Sequence, residues 1–228
     1  MFDLTGKVAI VTGGNGGIGL GMERGITEAG GKIAVFARNV KKNAEAAAVL
    51  KDMGAEVDTF EVDVTNSEII AAAVNAVVNH FGRLDILVNN AGTNLGGRPE
   101  DLSEDDWHFV MDTNVTSAFL CSKACYPKMK EGGGGKILNC GSMYSVFASP
   151  RVPAYAASKG AIVQLTKSLA TAWARDNIQV NCFLPGWVDT ELTVRAREQV
   201  PALHESVLKR TPAHRWGTPE DMAGVAVF

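Results

Sequence analysis

Ser142, Tyr155 and Lys159 carry the sharpest chemical signal in the sequence. The stretch from Tyr155 to Arg175 is free of proline and rich in Ala, Leu and Lys, which predicts a helix. Helical positions four apart share a face and lie within side-chain reach, so Lys159 falls beside the phenol of Tyr155. A free phenol ionises near ~10, and a neighbouring cation favours the ionised form. Tyr155 is therefore a candidate general acid/base. Ser142 follows the apolar run Lys136–Cys140, at the end of a predicted strand, where its hydroxyl can meet a substrate oxygen beside that phenol. Tyr126 and Lys130 repeat the spacing, but Pro127 and Gly132–Gly135 put that pair at a helix end with no serine leading into it. A Tyr–Lys pair alone is ordinarily a solvated helix face, so its meaning depends on what else the chain supplies.

The elements that would position these residues alternate regularly. Strands are predicted at Lys7–Val11, Ile33–Phe36, Glu56–Val62, Leu84–Val88, Lys136–Cys140 and Ile178–Phe183. Helices are predicted from the glycine loop to Ala29, at Val40–Met53, Ser67–Phe81, Ser103–Lys130 with a break near Asp112–Thr113, and Tyr155–Arg175. Such alternation argues for one parallel sheet with helices on both faces. The expected architecture is α/β: a doubly wound sheet in the order 3-2-1-4-5-6, one domain spanning residues 1–228. On that plan the glycine loop, Asp63, Asn90-Ala91-Gly92, Ser142 and Pro185-Gly186 all fall at carboxyl ends of strands, hence along one edge. Ligands of open α/β sheets bind outside that edge, so the convergence points to a nucleotide site beside the candidate acid/base.

Gly13, Gly17 and Gly19 between a strand and a helix let backbone approach a pyrophosphate at the helix N-terminus. The second strand ends in Phe36-Ala37-Arg38-Asn39, with no acid to accept from a ribose hydroxyl. The guanidinium of Arg38 suits a 2′-phosphate instead, which favours NADP, with NAD also usable. Asp63 stands to accept from an adenine amino group or to cap the following helix. Asn114, a poor helix former in mid-helix, either turns inward to hold a water, or marks a helix kink or a partner for a loop carbonyl.

The net charge of −3 leaves no footprint for nucleic acid. No apolar run reaches the roughly 18 residues of a membrane span, and the N-terminus lacks the basic segment of a signal peptide. Cys121, Cys125, Cys140 and Cys182 read as small buried side chains, with no histidine at metal-ligand spacing, and a reducing, cytoplasmic setting is expected.

Taken together, Thr12-Gly-x-x-x-Gly-x-Gly19, Asn89-Asn-Ala-Gly92, Asn114, Ser142, Tyr155-x-x-x-Lys159 and Pro185-Gly186 resemble the short-chain dehydrogenase/reductase family over essentially the whole chain. The resemblance implies an NAD(P)-dependent oxidoreductase interconverting an alcohol and a carbonyl. It implies Tyr155 as acid/base, Ser142 polarising the carbonyl, Lys159 on the nicotinamide ribose and favouring the ionised Tyr155, and Asn114 holding a proton-relay water. The cofactor set it implies also takes in Asn15, Ile18, Val64, Val188 and Thr190, with the backbone after Pro185-Gly186 holding the carboxamide. Gly16 occupies the place where NADP-preferring members often carry a basic residue, leaving Arg38 as the expected discriminator. Trp187–Trp216 resembles the family's substrate lid and offers Arg195, Arg197, His204 and Arg210. The similarity leans toward a small-molecule sugar, polyol or sugar-acid substrate, of the glucose or gluconate dehydrogenase kind, and a homotetramer or homodimer. A 3-oxoacyl-carrier-protein reductase is the rival enzyme, and a non-catalytic cofactor-sensing protein the rival of another class. The family continues into a last strand beyond Phe228, and a longer natural chain is expected.

Overall fold

The computed structural model describes residues 2–228. Its first strand, β1 (Val8–Thr12), is buried along its whole length. Successive side chains of a strand face opposite ways, and both faces here meet apolar cores. Val8 and Ile10 pack in one cluster with Phe36, Leu87 and Ile137. Ala9 and Val11 pack in the other with Met22, Ile26 and Val88. This two-sided burial is why the run is continuously apolar instead of alternating.

Around β1 lie β2 (Lys32–Ala37), β3 (Val57–Glu61), β4 (Ile86–Asn89), β5 (Gly135–Cys140) and β6 (Ile178–Phe183), all parallel, in the order β3-β2-β1-β4-β5-β6. The expected doubly wound order is observed. β1 pairs with β2 on one side and β4 on the other, so the strand order reverses next to its end. The connecting helices are α1 (Gly17–Glu28), α2 (Val40–Asp52), α3 (Ser67–Phe81), α4 (Glu104–Met111), α5 (Ser117–Glu131) and α6 (Pro153–Trp173). Beyond β6 come α7 (Glu191–Gln199), α8 (Leu203–Arg210) and the short α9 (Ala223–Val227).

Local chemistry explains the helix boundaries. Asn39 caps α2 by accepting from Lys42 N, and Asn66 caps α3 by accepting from Glu68 N and Ile69 N. Gly82, at φ 81°, ends α3 in the left-handed region that glycine enters without a side-chain clash. The long helix predicted from Ser103 is broken by a π turn at Asp112–Thr116, close to the expected break. Gly21 and Gly25 of α1 let the segment from Pro219 to Ala223 seat against it, since a Cβ on either would meet backbone oxygen at 1.9 and 2.4 Å respectively. No helix among the described residues is long and apolar enough to cross a membrane.

Candidate active site

Three adjoining cavities run along the carboxyl edge of the sheet, and Leu192 of α7 lines all three. The largest, about 970 Å³, passes Gly13, Asn15, Phe36, Arg38, Asp63 and Val64. A second, about 300 Å³, follows the glycine loop through Gly17 and Ile18 to Asn90, Lys159 and Thr190. The third, about 550 Å³, holds Ser142, Tyr144, Gly186 and Trp187. Tyr155 lines both the second and the third.

The glycine loop is built for close approach. Gly13 and Gly17 sit at φ 65° and 52°, and a Cβ on Gly19 would lie 2.5 Å from Gly13 O. Thr12 and Asn90 lock the loop to the end of β4. Thr12 Oγ1 accepts from the amides of Asn90 and Ala91, both at 3.0 Å, while Asn90 Nδ2 donates to Thr12 O and Gly13 O at 3.0 and 3.2 Å. Gly16 stands at the N-cap of α1 and supplies no side-chain cap. Its first amides therefore face the loop without partners, a ready site for an anion. An uncapped helix end, a glycine cradle and a long cleft beyond it fit a dinucleotide.

Lys159 is buried and donates from Nζ to Cys140 O at 2.7 Å. Its ammonium lies 5.6 Å from the centre of the Tyr155 ring. The carbonyl at the end of β5 thus fixes the lysine against the tyrosine one helical turn away. A Cβ on Gly92 would stand 3.3 Å from Asn114 Oδ1 and 3.7 Å from Lys159 Nζ, so the strand-four loop brings these two residues together. Ser142 caps the short turn Met143–Ser145, its Oγ accepting from Tyr144 N at 3.1 Å. With an acceptor site used in this way, the hydroxyl proton remains to be donated.

Asn114 turns its side chain inward and is buried. Oδ1 accepts from Thr93 N at 2.7 Å, and Nδ2 donates to Thr93 O and Ser158 Oγ, both at 2.9 Å. The side chain thus partners a loop carbonyl from within the π turn. Asp63 accepts from Thr65 in a local turn, and Asn66 takes the helix cap. Pro185, Val188 and Gly19 line none of the three cavities. Pro185 O accepts from Met143 N, and Val188 is buried in a bridge to Gly217. Gly186 lines the third cavity. Between Trp187 and Trp216, Arg197 pairs with Asp189 and lies over the Trp216 ring at 4.6 Å, while His204 stacks on that ring. Both hold this segment together, and of Arg195, Arg197, His204 and Arg210 only Arg195 lines one of the three cavities, the largest.

Residues outside the expected set also reach the site. Arg98 and Arg151 line the third cavity with Tyr155. Lys42 lines the first and second. Only Lys42 had a sequence signal, the cluster of Arg38, Lys41 and Lys42 at one helix start.

Comparison with known proteins gives the same picture. The family model described as short chain dehydrogenase matches residues 7–201. A 2-dehydro-3-deoxy-D-gluconate 5-dehydrogenase of Dickeya dadantii (strain 3937) is 40% identical over 228 residues, covering 100% of this chain and 89% of the relative. A gluconate 5-dehydrogenase of Gluconobacter oxydans (strain 621H) is 37% identical, with 100% and 89% covered. The crystal structure of a gluconate 5-dehydrogenase from Burkholderia cenocepacia J2315 in complex with NADP and tartrate superposes with a TM-score of 0.94 at 39% identity, over 100% of this chain and 89% of that one. The match takes in the sheet, the glycine loop and the stretch from Ser142 to Lys159 alike, and the chain belongs to the short-chain dehydrogenase family, NAD(P)-dependent oxidoreductases acting on CH–OH groups.

Proposed function

We propose that this chain interconverts the secondary alcohol and ketone of a sugar acid, using NADP in preference to NAD. The observation that carries this reading is the position of Tyr155. It stands where the glycine-loop cavity meets a separate cavity containing Ser142, Arg98 and Arg151. Hydride transfer requires two ligands to meet at one proton-transferring group, and this junction provides that place.

A bound nicotinamide supplies or accepts the hydride. Ser142 donates its free hydroxyl proton to the substrate oxygen, and Tyr155 takes or returns the proton at that same oxygen. Lys159, fixed by Cys140 O, holds its ammonium 5.6 Å from the ring centre and would hold the ribose of a bound nicotinamide cofactor. Asn114 holds the Thr93 loop and Ser158 in register behind them. Arg151 supplies a cation for the carboxylate, while Arg98 is already paired with Glu100. The related dehydrogenases act on gluconate-type acids, and the Burkholderia protein holds tartrate, itself a hydroxy acid. Arg38 at the end of β2, with no acid beside it in sequence, supports NADP.

The four free cysteines suit a reducing, cytoplasmic setting. Trp107, Phe119, Val146 and Phe147 are exposed apolar side chains on α4, α5 and the turn after β5. They support assembly into a homodimer or homotetramer, which light scattering of the eluted protein would test.

A panel of gluconate-type acids, neutral polyols and 3-oxoacyl thioesters, followed by reduced-nicotinamide absorbance, tests the substrate. Turnover of the acids is expected. Preference for the thioesters would replace this reading with the acyl-reductase one, and no turnover alongside tight cofactor binding would favour a cofactor sensor.

A further inference from the structure

The NADP reading leaves one charged contact across the cleft without a role. Lys42 Nζ pairs with Glu191 Oε1 at 2.5 Å, joining the first turn of α2 to the first turn of lid helix α7. Lys42 also lines the Arg38 cavity and the glycine-loop cavity, and Glu191 lines the latter. The start of α2 is electrostatically unusual. Its first turn carries Lys41 and Lys42, no acid, and follows Arg38. Cations at a helix N-terminus oppose the helix dipole, so this cluster is destabilised unless an anion lies against it. Glu191 is the anion that Lys42 meets in this structure, reaching in from the lid, and its carboxyl is held below the usual range by the hydrogen bond from Lys42. The other charged side chains of the large cavity are Arg38, Arg195, Asp63 and Asp112.

Building on the NADP reading, we propose that Lys42 is a second specificity-determining cation, taken up by the ribose 2′-phosphate and held in its absence by Glu191. Exchange of the lid carboxylate for the phosphate frees the start of α7 at the moment the correct nucleotide is seated. Gly16 removes the basic residue expected in the glycine loop, and Lys42 provides the charge from α2 instead.

Binding of nucleotide fragments to the whole protein tests this without turnover. The probes are 2′,5′-ADP and 5′-ADP, which carry two phosphates each, differently placed. Titration calorimetry on wild type, Lys42→Gln, Glu191→Gln, the double variant and Arg38→Leu separates the contributions, with circular dichroism confirming the fold. Lys42→Gln should weaken 2′,5′-ADP about tenfold and 5′-ADP less than about twofold, as for a charge-assisted contact partly open to solvent. Glu191→Gln should tighten 2′,5′-ADP by roughly three- to fivefold, the range of an exposed ion pair, and have no effect once Lys42 is gone. Unchanged 2′,5′-ADP binding in Lys42→Gln overturns the proposal, as does an equal loss for both fragments. An effect of Glu191→Gln that persists in the double variant overturns the exchange. If wild type does not favour 2′,5′-ADP and Arg38→Leu changes nothing, the NADP reading itself fails. If Arg38→Leu alone weakens it, that reading stands and Lys42 is excluded.

Discussion

Replacing Glu23 with Gln should stabilise this protein by an amount that grows with pH. Glu23 lies on α1 directly under the glycine loop, is 0% exposed, and neither carboxyl oxygen has a hydrogen-bond partner. A Cβ on Gly14 would fall 1.8 Å from Glu23 Oε1, so the carboxyl fills the space that this glycine leaves. Desolvation raises its pKa well above the usual carboxylate range. The folded state therefore keeps a proton that the unfolded chain has lost, and stability falls as pH rises. The loss begins near the unfolded value of ~4.3 and ends at the folded pKa, with a slope of up to about 1.4 kcal/mol per pH unit. For a chain of 228 residues, each kcal/mol moves Tm by roughly 2–4 °C, so wild type should fall behind Glu23→Gln by about 3–6 °C per pH unit in that window. Glu23→Met removes the orphaned oxygens as well and should add a pH-independent gain of about 1–3 kcal/mol. Scanning calorimetry of the three proteins from weakly acidic to neutral pH reads both effects. A gap between wild type and Glu23→Gln that stays constant with pH would refute the argument, because an ionisable buried carboxyl cannot give one.

Three other outcomes are expected. Tyr155→Phe should bind cofactor normally and lose at least the ~10²–10⁴ in kcat attributed to general acid/base catalysis. Tyr126→Phe, whose hydroxyl pairs with Asp176, should leave kcat alone, and near wild-type turnover in Tyr155→Phe would sink the assignment. Ala37→Asp with Arg38→Leu should reverse the cofactor order. Charge-assisted contacts of about 1.5–3 kcal/mol correspond to roughly 10- to 150-fold, and the exposure of Arg38 places the effect at the low end. The ratio of kcat/KM for the two cofactors at one ionic strength measures it, and a wild-type ratio favouring NAD would show that Arg38 points into solvent. Gly21→Ala would push a Cβ to 1.9 Å from Pro219 O. The gain in helix propensity of about 1 kcal/mol is then outweighed by overpacking of about 1–3 kcal/mol, so a net fall in the denaturant midpoint is expected and a rise would contradict the close packing.

The sequence by itself determined those parts of this protein whose physics is local. β-Branched runs between helical stretches specified a parallel sheet, and the glycine loop and Tyr155–Lys159 spacing placed a candidate nucleotide cradle and a candidate acid/base at its edge. Each of these is written within one or two turns of chain, where backbone sterics and helix geometry act. Tertiary structure alone decided which side chains meet across the cleft. Thr93 and Ser158, the partners of the Asn114 side chain, lie 21 and 44 residues away, beyond the reach of any local pattern. Lys42 and Glu191 are 149 residues apart, and no periodicity relates them. Arg98 and Arg151 lie on separate loops, while Arg197 and His204 pack against Trp216. Glu23 has no local signature of burial, because a lone acid in a helix reads as solvated until the loop above it closes. Charged side chains are long and their helix positions uninformative about direction, so only the packed chain settles which charges face a ligand and which hold the fold.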